Sequence, residues 1–154
     1  MEFVEFINKV ESVKKSTPIL FELDSDRMAS ELDLDKIEMY YGIKFPESYK
    51  MFLKKYGGGY FAYTVVYSCD SNSNFYILER VAKDWVEKNN FFPVIDFETG
   101  DLAGFRVRDK VCENRISVFD HDVGDIVVCK ECDFFEALVL YGLKSWFFTP
   151  KVNS

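Results

Sequence analysis

The stretch from Ile37 to Gly59, IEMYYGIKFPESYKMFLKKYGGG, leaves its backbone few choices. Gly42 stands where a first helix must stop, because glycine takes the left-handed conformation of a helix C-terminus without a Cβ penalty. Pro46 starts a second helix: a proline in the first turn forfeits only an N–H that has no helical partner, and its fixed φ suits the start. Glu47 adds negative charge where the helix dipole favours it. Tyr49, Phe52, Leu53 and Tyr56 then recur at i, i+3, i+4 and i+7, one apolar stripe down the helix. Lys54 and Lys55 fall in its last turn, and Gly57-Gly58-Gly59 ends it. The segment reads as helix, tight turn, helix, sharp exit.

The flanking chain can be read around that unit. Phe3, Phe6, Ile7 and Val10 keep helical spacing, which predicts an amphipathic helix over residues 2 to about 15, ended by Thr17-Pro18. Ile19 to Leu23 reads as a short strand or a further turn, and either Asp33 or Asp35 as the cap of the helix that precedes Gly42. After the glycines, YFAYTVVYS has the composition of a strand, and Asp70 to Asn74 is a turn cluster. YILERVAKDWVEKN predicts one helix with Ile77, Leu78, Val81 and Trp85 on one face, Trp85 serving packing. FFPVIDF and LAGFRV form a hairpin across Glu98-Thr99-Gly100-Asp101, with Pro93 confining its strand to an edge or a strand start. Arg108 to Arg115 reads as a mixed-charge connector, and ISVF with DIVVC as a second hairpin across Asp120 to Gly124. Asp133 and Glu136 introduce a closing helix, FFEALVLYG, which Gly142 ends. Trp146, Phe147 and Phe148 read as an apolar tether. The expected fold is α+β, a single domain over residues 1–154 with N-terminal helices, a largely antiparallel sheet and a closing C-terminal helix.

A hydrophobic content of 48% with 16 Phe and 9 Tyr in 154 residues argues for a folded, aromatic-rich interior. No apolar run approaches the roughly 20 residues of a membrane helix. MEFVEFINKVESVKK lacks the basic start and apolar block of a signal peptide, so a cytoplasmic chain is expected. Cys69, Cys112, Cys129 and Cys132 then read as reduced thiols. Cys129 and Cys132 form a single CxxC with neither a second pair nor a redox context, and read as packing residues. The net charge of −7 disfavours direct nucleic-acid binding and suits a basic protein partner.

Residues 91 to 136 hold eleven acids and five bases, most of that charge. In an up-and-down meander the tips of the two hairpins lie at one end of the sheet, bringing Glu98 and Asp101 near Asp120, Asp122 and Asp125. Three readings fit these carboxylates. They are solvated turn tips, an acidic patch facing a partner, or a metal or paired-carboxylate hydrolase site. DHDVGD lacks the regular ligand spacing of a calcium loop. His121, the only imidazole, lies between two aspartates that favour its charged form, a poor setting for a general base. No nucleophile elbow, phosphate-binding loop, dinucleotide glycine pattern or HExxH is present. A non-enzymatic chain without cofactor or metal is expected.

Several of these pieces together resemble the SUKH superfamily, which includes fungal cell-wall-synthesis regulators and bacterial immunity proteins. The matching residues are Glu38, Tyr41, Gly42, Ile43, Phe45, Pro46, Tyr49, Lys50, Phe52, Leu53, Gly58 and Gly59, with Phe45 where the family more often has Leu and Gly58 where Asn is common. FFPVIDFETGDLAGF, ISVFDHD and FFEALVLYGL are similar to later segments, so the resemblance covers roughly residues 30 to 143. It implies an immunity protein, or antitoxin, that neutralises the toxic C-terminal domain of a cognate polymorphic toxin, often a basic nuclease, by stoichiometric blockade. The alternative it offers is an intracellular regulatory scaffold of the fungal kind. In the first reading Glu98, Asp101, Asp120, Asp122 and Asp125 supply an acidic rim. Tyr60 and Tyr63 read either as core residues or as aromatic anchors.

Overall fold

The computed structural model describes residues 1–144, and no side chains for residues 128–131. Helix α1 (Phe3–Ser16) runs into a single 3-10 turn, Pro18–Phe21, so the Ile19 to Leu23 stretch is not a strand. Helix α2 (Glu31–Tyr41) is capped by Ser30 rather than by Asp33 or Asp35. The Ser30 hydroxyl accepts from the Asp33 N–H at 3.1 Å, and the Asp33 carboxylate accepts from the Ser30 N–H at 2.8 Å. This reciprocal box satisfies two otherwise orphaned donors. Arg27 sits 2.8 Å from Asp33, and its hydrogen bond holds that carboxyl well below the usual range.

Gly42 ends α2 at φ 65°, and α3 (Glu47–Tyr56) begins just behind Pro46. Between them the Glu38 side chain is buried. One carboxylate oxygen accepts from the Phe45 N–H at 2.8 Å, and the other meets the Lys50 ammonium at 3.1 Å. Burial lowers the Lys50 pKa, but the hydrogen bond and charge of Glu38 outweigh it and hold the amine above its ordinary value.

Gly57, Gly58 and Gly59 all have positive φ. A Cβ on Gly57 would land on the Asp26 carbonyl oxygen, and one on Gly59 would lie 2.7 Å from the Asp26 carboxyl carbon. The triple glycine thus lets the 24–28 segment cross the α3 exit, where the Asp26 N–H donates to the Gly58 carbonyl at 2.9 Å.

The sheet contains β1 (Gly59–Phe61), β2 (Thr64–Val66), β3 (Phe91–Asp96), β4 (Leu102–Arg108), β5 (Val111–Asp120) and β6 (Asp125–Asp133). They pair antiparallel in chain order. YFAYTVVYS is therefore a hairpin rather than one strand, folding back at Ala62-Tyr63 with Ala62 at φ 51°. Arg108 to Arg115 is likewise no connector. Asp109 and Lys110, at φ 50° and 64°, close a two-residue turn between β4 and β5, the left-handed pair such hairpins require. Pro93 lies inside a central strand, not an edge or strand start. A register shift between Pro93 and Ile95 accommodates it, and Gly104 opposite leaves room for the Phe92 carbonyl.

Residues 75 to 89 form two helices, α4 (Ile77–Arg80) and α5 (Lys83–Asn89), where one was expected. The Tyr41 hydroxyl reaches the Ile77 carbonyl at 3.1 Å and the Val81 carbonyl at 2.7 Å, and extended Val81 breaks the run. Trp85 packs edge-on against Phe91 and Phe119. The closing helix is a single α turn, α6 (Phe134–Ala137), continued by a wide π turn over Leu138–Gly142, with Asp133 accepting from the Glu136 N–H at 2.8 Å. Phe6 stacks on Phe135 at 4.8 Å, and Phe52 and Tyr49 meet Phe134 at 5.5 and 5.4 Å, joining α1, α3 and α6 in one aromatic core. The expected α+β architecture is thus observed. Trp146, Phe147 and Phe148 lie outside the described residues, as does the Cys129 side chain.

Two substitutions separate conformational strain from collision. Gly42→Ala, with open space around its Cβ, should cost about 1 kcal/mol for left-handed backbone alone, and Gly57→Ala about 3 kcal/mol, read as urea midpoints at unchanged slope. Glu38→Ala should also cost about 3 kcal/mol, whereas Glu38→Gln, which keeps an acceptor for Phe45, should cost about 1 kcal/mol by the same measurement.

Candidate functional site

The meander sends the β1–β2, β3–β4 and β5–β6 turns to one end of the sheet and the Asp109-Lys110 turn to the other. Each acidic tip uses carboxylates to build its own backbone. Asp96 accepts from the Glu98 N–H at 2.7 Å, Asp120 from the Asp122 N–H at 2.9 Å, and Asp125 from the Ile126 N–H at 2.7 Å. These are the local turns that aspartate favours.

Asp101 joins two tips. Its carboxylate accepts from the His121 N–H at 3.0 Å and meets the His121 Nδ1 at 2.5 Å, while Nε2 lies 3.2 Å from Asp122. The imidazole rests against Gly100, where a Cβ would come within 2.9 Å of the ring. The Asp101 hydrogen bond and the surrounding charges of Asp122, Asp101 and Asp120 raise the His121 pKa; the hydrogen bonds from His121 lower that of Asp101. The residues brought into direct contact are therefore Asp101, Asp120, His121 and Asp122. Glu98 and Asp125 stand exposed on the same tips, each hydrogen-bonded within its own turn.

The tyrosines are not core residues. Tyr63, 57% exposed, projects from the β1–β2 tip with the Lys144 ammonium 4.7 Å from its ring centre. Tyr60, 39% exposed, stands on edge strand β1 against Phe75 at 5.1 Å. The β5–β6 tip adds Val123, also exposed. The row of tips thus offers carboxylates, one imidazole and two apolar knobs.

Such groups suit ion pairing. Asp101, Asp120 and His121 place donor atoms within 4.8 Å of one another, but three such groups fall short of the six to eight oxygens calcium takes. The His121 ring is turned onto two carboxylates, which favours the charged form and not a neutral base. Burial pushes the Cys69 and Cys112 thiols up to about 12, far from the thiolate a nucleophile needs.

Beside β1 lies a groove of about 640 Å³ that the sequence did not reveal, lined by residues of α1, the 21–28 segment, the end of α3 and Tyr60-Phe61. Its walls are far apart in the chain, and the only local signal for it is the triple glycine that admits the 24–28 segment. No described helix is long and apolar enough to cross a membrane.

A model of the family described as SUKH_6, SMI1-KNR4 cell-wall, matches residues 31–136. That span runs from the first residue of α2 into α6 and includes the Glu38–Lys50 pair, the glycines and both acidic tips. A search of the curated proteins gives no match.

The His121–Asp101 clasp should depend on pH in both directions. A raised imidazole pKa gives stability that is complete below the ordinary value of 6.5 and lost as pH rises through the folded value; a lowered carboxyl gives stability present above 3.8 and lost as pH falls through its folded value. The clasp is therefore strongest between those ordinary values. An NMR titration should place the His121 ring above an unperturbed histidine, and Asp101→Asn should return it toward 6.5.

Proposed function

This chain belongs to the SUKH family, described as SMI1-KNR4 cell-wall, and from that premise we propose that it is an immunity protein that neutralises a toxin domain by binding it. The family is associated with protein–protein interaction, and recognition of a protein surface asks for an exposed, chemically distinct patch and not for a reactive group. The observation that carries the reading is the meeting of three hairpin tips at one end of the sheet, with carboxylates exposed and a single imidazole among them.

In this mechanism Asp101, Asp120 and Asp122 pair with lysine and arginine side chains that a basic nuclease uses to hold substrate phosphates, with Glu98 and Asp125 at the rim. Charge-assisted hydrogen bonds to carboxylates are the strong ones, and arginine can make them in pairs. The same charge steers the encounter and raises the association rate. Tyr63 and Val123 supply apolar contact beside the charges, and Tyr60 flanks them from β1. Inhibition is stoichiometric, because the occupied surface is the one the nucleic acid needs.

Co-expression with the C-terminal domain of a large toxin encoded next to this chain should restore growth and give a one-to-one complex. Asp120→Asn with Asp122→Asn preserves the acceptor that the turn needs, and should slow association about ten-fold and flatten its salt dependence. Failure of rescue with an active toxin domain and a folded partner would overturn the immunity reading. Unchanged kinetics in the double variant would overturn the choice of surface.

A further inference from the structure

The groove beside β1 has a floor of aromatic rings. Phe21 meets Phe61 edge-on at 5.6 Å, and Tyr56 meets Phe61 at 5.7 Å. The Lys14 ammonium lies 5.3 Å from the centre of Phe21 and 5.7 Å from that of Tyr56, and the Lys55 ammonium lies 5.8 Å from Tyr56. Two cations therefore stand over one phenol ring.

The Tyr56 hydroxyl is buried and, among the described residues, has no hydrogen-bond partner. Burial, and then the charge of Glu11, push its pKa up to about 12, so it remains a donor. Buried donors are nearly always paired in folded proteins. Among the described residues no acceptor meets it, and two nearby ammonium groups favour an anionic one.

The other charges of the groove are mostly engaged. The Asp26 carboxylate accepts from the Ser68 and Ser73 hydroxyls at 2.6 Å each, and Arg27 is held by Asp33 at 2.8 Å. Glu11 approaches Lys14 only to 3.9 Å, and Asp24 lies exposed on the rim. Lys55 has no ion pair among the described residues. Around this centre Leu23 and Met28 are each 60% exposed, with Tyr60 beside them. On its outer side β1 makes one bridge, from Gly59 to Ser25.

We propose that this groove binds an extended, acidic segment of a partner protein. One carboxylate side chain of the segment accepts from the Tyr56 hydroxyl within reach of Lys14 and Lys55, and an adjacent apolar side chain lies on Leu23, Met28 and Tyr60. The charge preference is opposite to that of the hairpin tips, and the inference does not rest on the immunity reading. It assigns Tyr60 to the groove as its aromatic wall.

The test uses the whole chain and the blocked pentapeptide acetyl-Leu-Glu-Tyr-Glu-Leu-amide, followed by amide NMR shifts. Addition of peptide should move amides of residues 24–28 and 55–61. The same peptide with Gln in place of both Glu should bind about five-fold more weakly, as should Lys55→Ala with the original peptide. Tyr56→Phe gives a readout that a purely structural role would not. It should raise the melting temperature of the free protein, by removing an unsatisfied buried donor, while weakening the peptide. Equal binding of the Glu and Gln peptides, shifts confined to other residues, or no binding at millimolar peptide would each overturn the proposal, and none requires a variant to fold.

Discussion

A single buried carboxylate fixes the geometry on which the rest of the molecule depends. Glu38 lies on α2, yet both its oxygens serve the chain beyond that helix: one accepts from the Phe45 N–H in the turn, and the other meets Lys50 on α3. An ionised group at 4% exposure is tolerable only when paired and hydrogen-bonded, so the two helices and the turn between them hold one arrangement. That arrangement points Tyr49, Phe52 and Leu53 at the sheet. It also sets where α3 ends, and hence where three glycines must let the 24–28 segment cross. Asp26 then draws in Ser68 and Ser73, tying the N-terminal third of the chain to the loop after β2.

The sheet translates this scaffold into a surface. Because six strands pair in chain order, alternate turns fall at one end, and the acids in those turns converge without any long-range sequence signal. Asp101 turns proximity into contact by taking both the backbone N–H and the ring of His121. The tips are thus held by the same carboxylates they display. A side chain that already accepts a backbone hydrogen bond loses less freedom on meeting a partner than a free one would, a form of preorganisation.

What the sequence revealed, and what it hid, divides along the range of the interactions involved. Gly42, Pro46 and the i, i+3, i+4 stripe of α3 are local devices and read directly from the chain. The neighbourhood of Asp101 and Asp120 was legible too, because a meander makes a non-local contact out of two local turns. The departures lie where tertiary contacts override local preference. Ser30 rather than Asp33 caps α2 because Asp33 is the other half of the box and is also claimed by Arg27. The helical pattern of residues 75 to 89 breaks at Val81, where a tyrosine thirty-six to forty residues away takes the carbonyls. Strand-like YFAYTVVYS folds on itself although it contains neither Asn-Gly nor Gly at its turn. Tyr60 and Tyr63 have β-sheet composition, which says nothing of which side of an edge strand meets solvent.

Among the residues that carry the family resemblance, those of the helical unit build the scaffold, and only those of the hairpin tips can also recognise another molecule. Glu38, Tyr41, Phe45, Tyr49, Phe52, Leu53, Gly58 and Gly59 are buried, so their part of the resemblance reports a scaffold. The exposed chemistry, acidic at the hairpin tips and with two lysines over the aromatic groove, lies on side chains that the scaffold only positions. Family membership therefore constrains the shape of the platform far more tightly than the identity of what lands on it. Partner choice has to be argued from those exposed charges and rings, where the same fold, with five carboxylates moved from one set of turns to another, would present a different surface at little cost to its core.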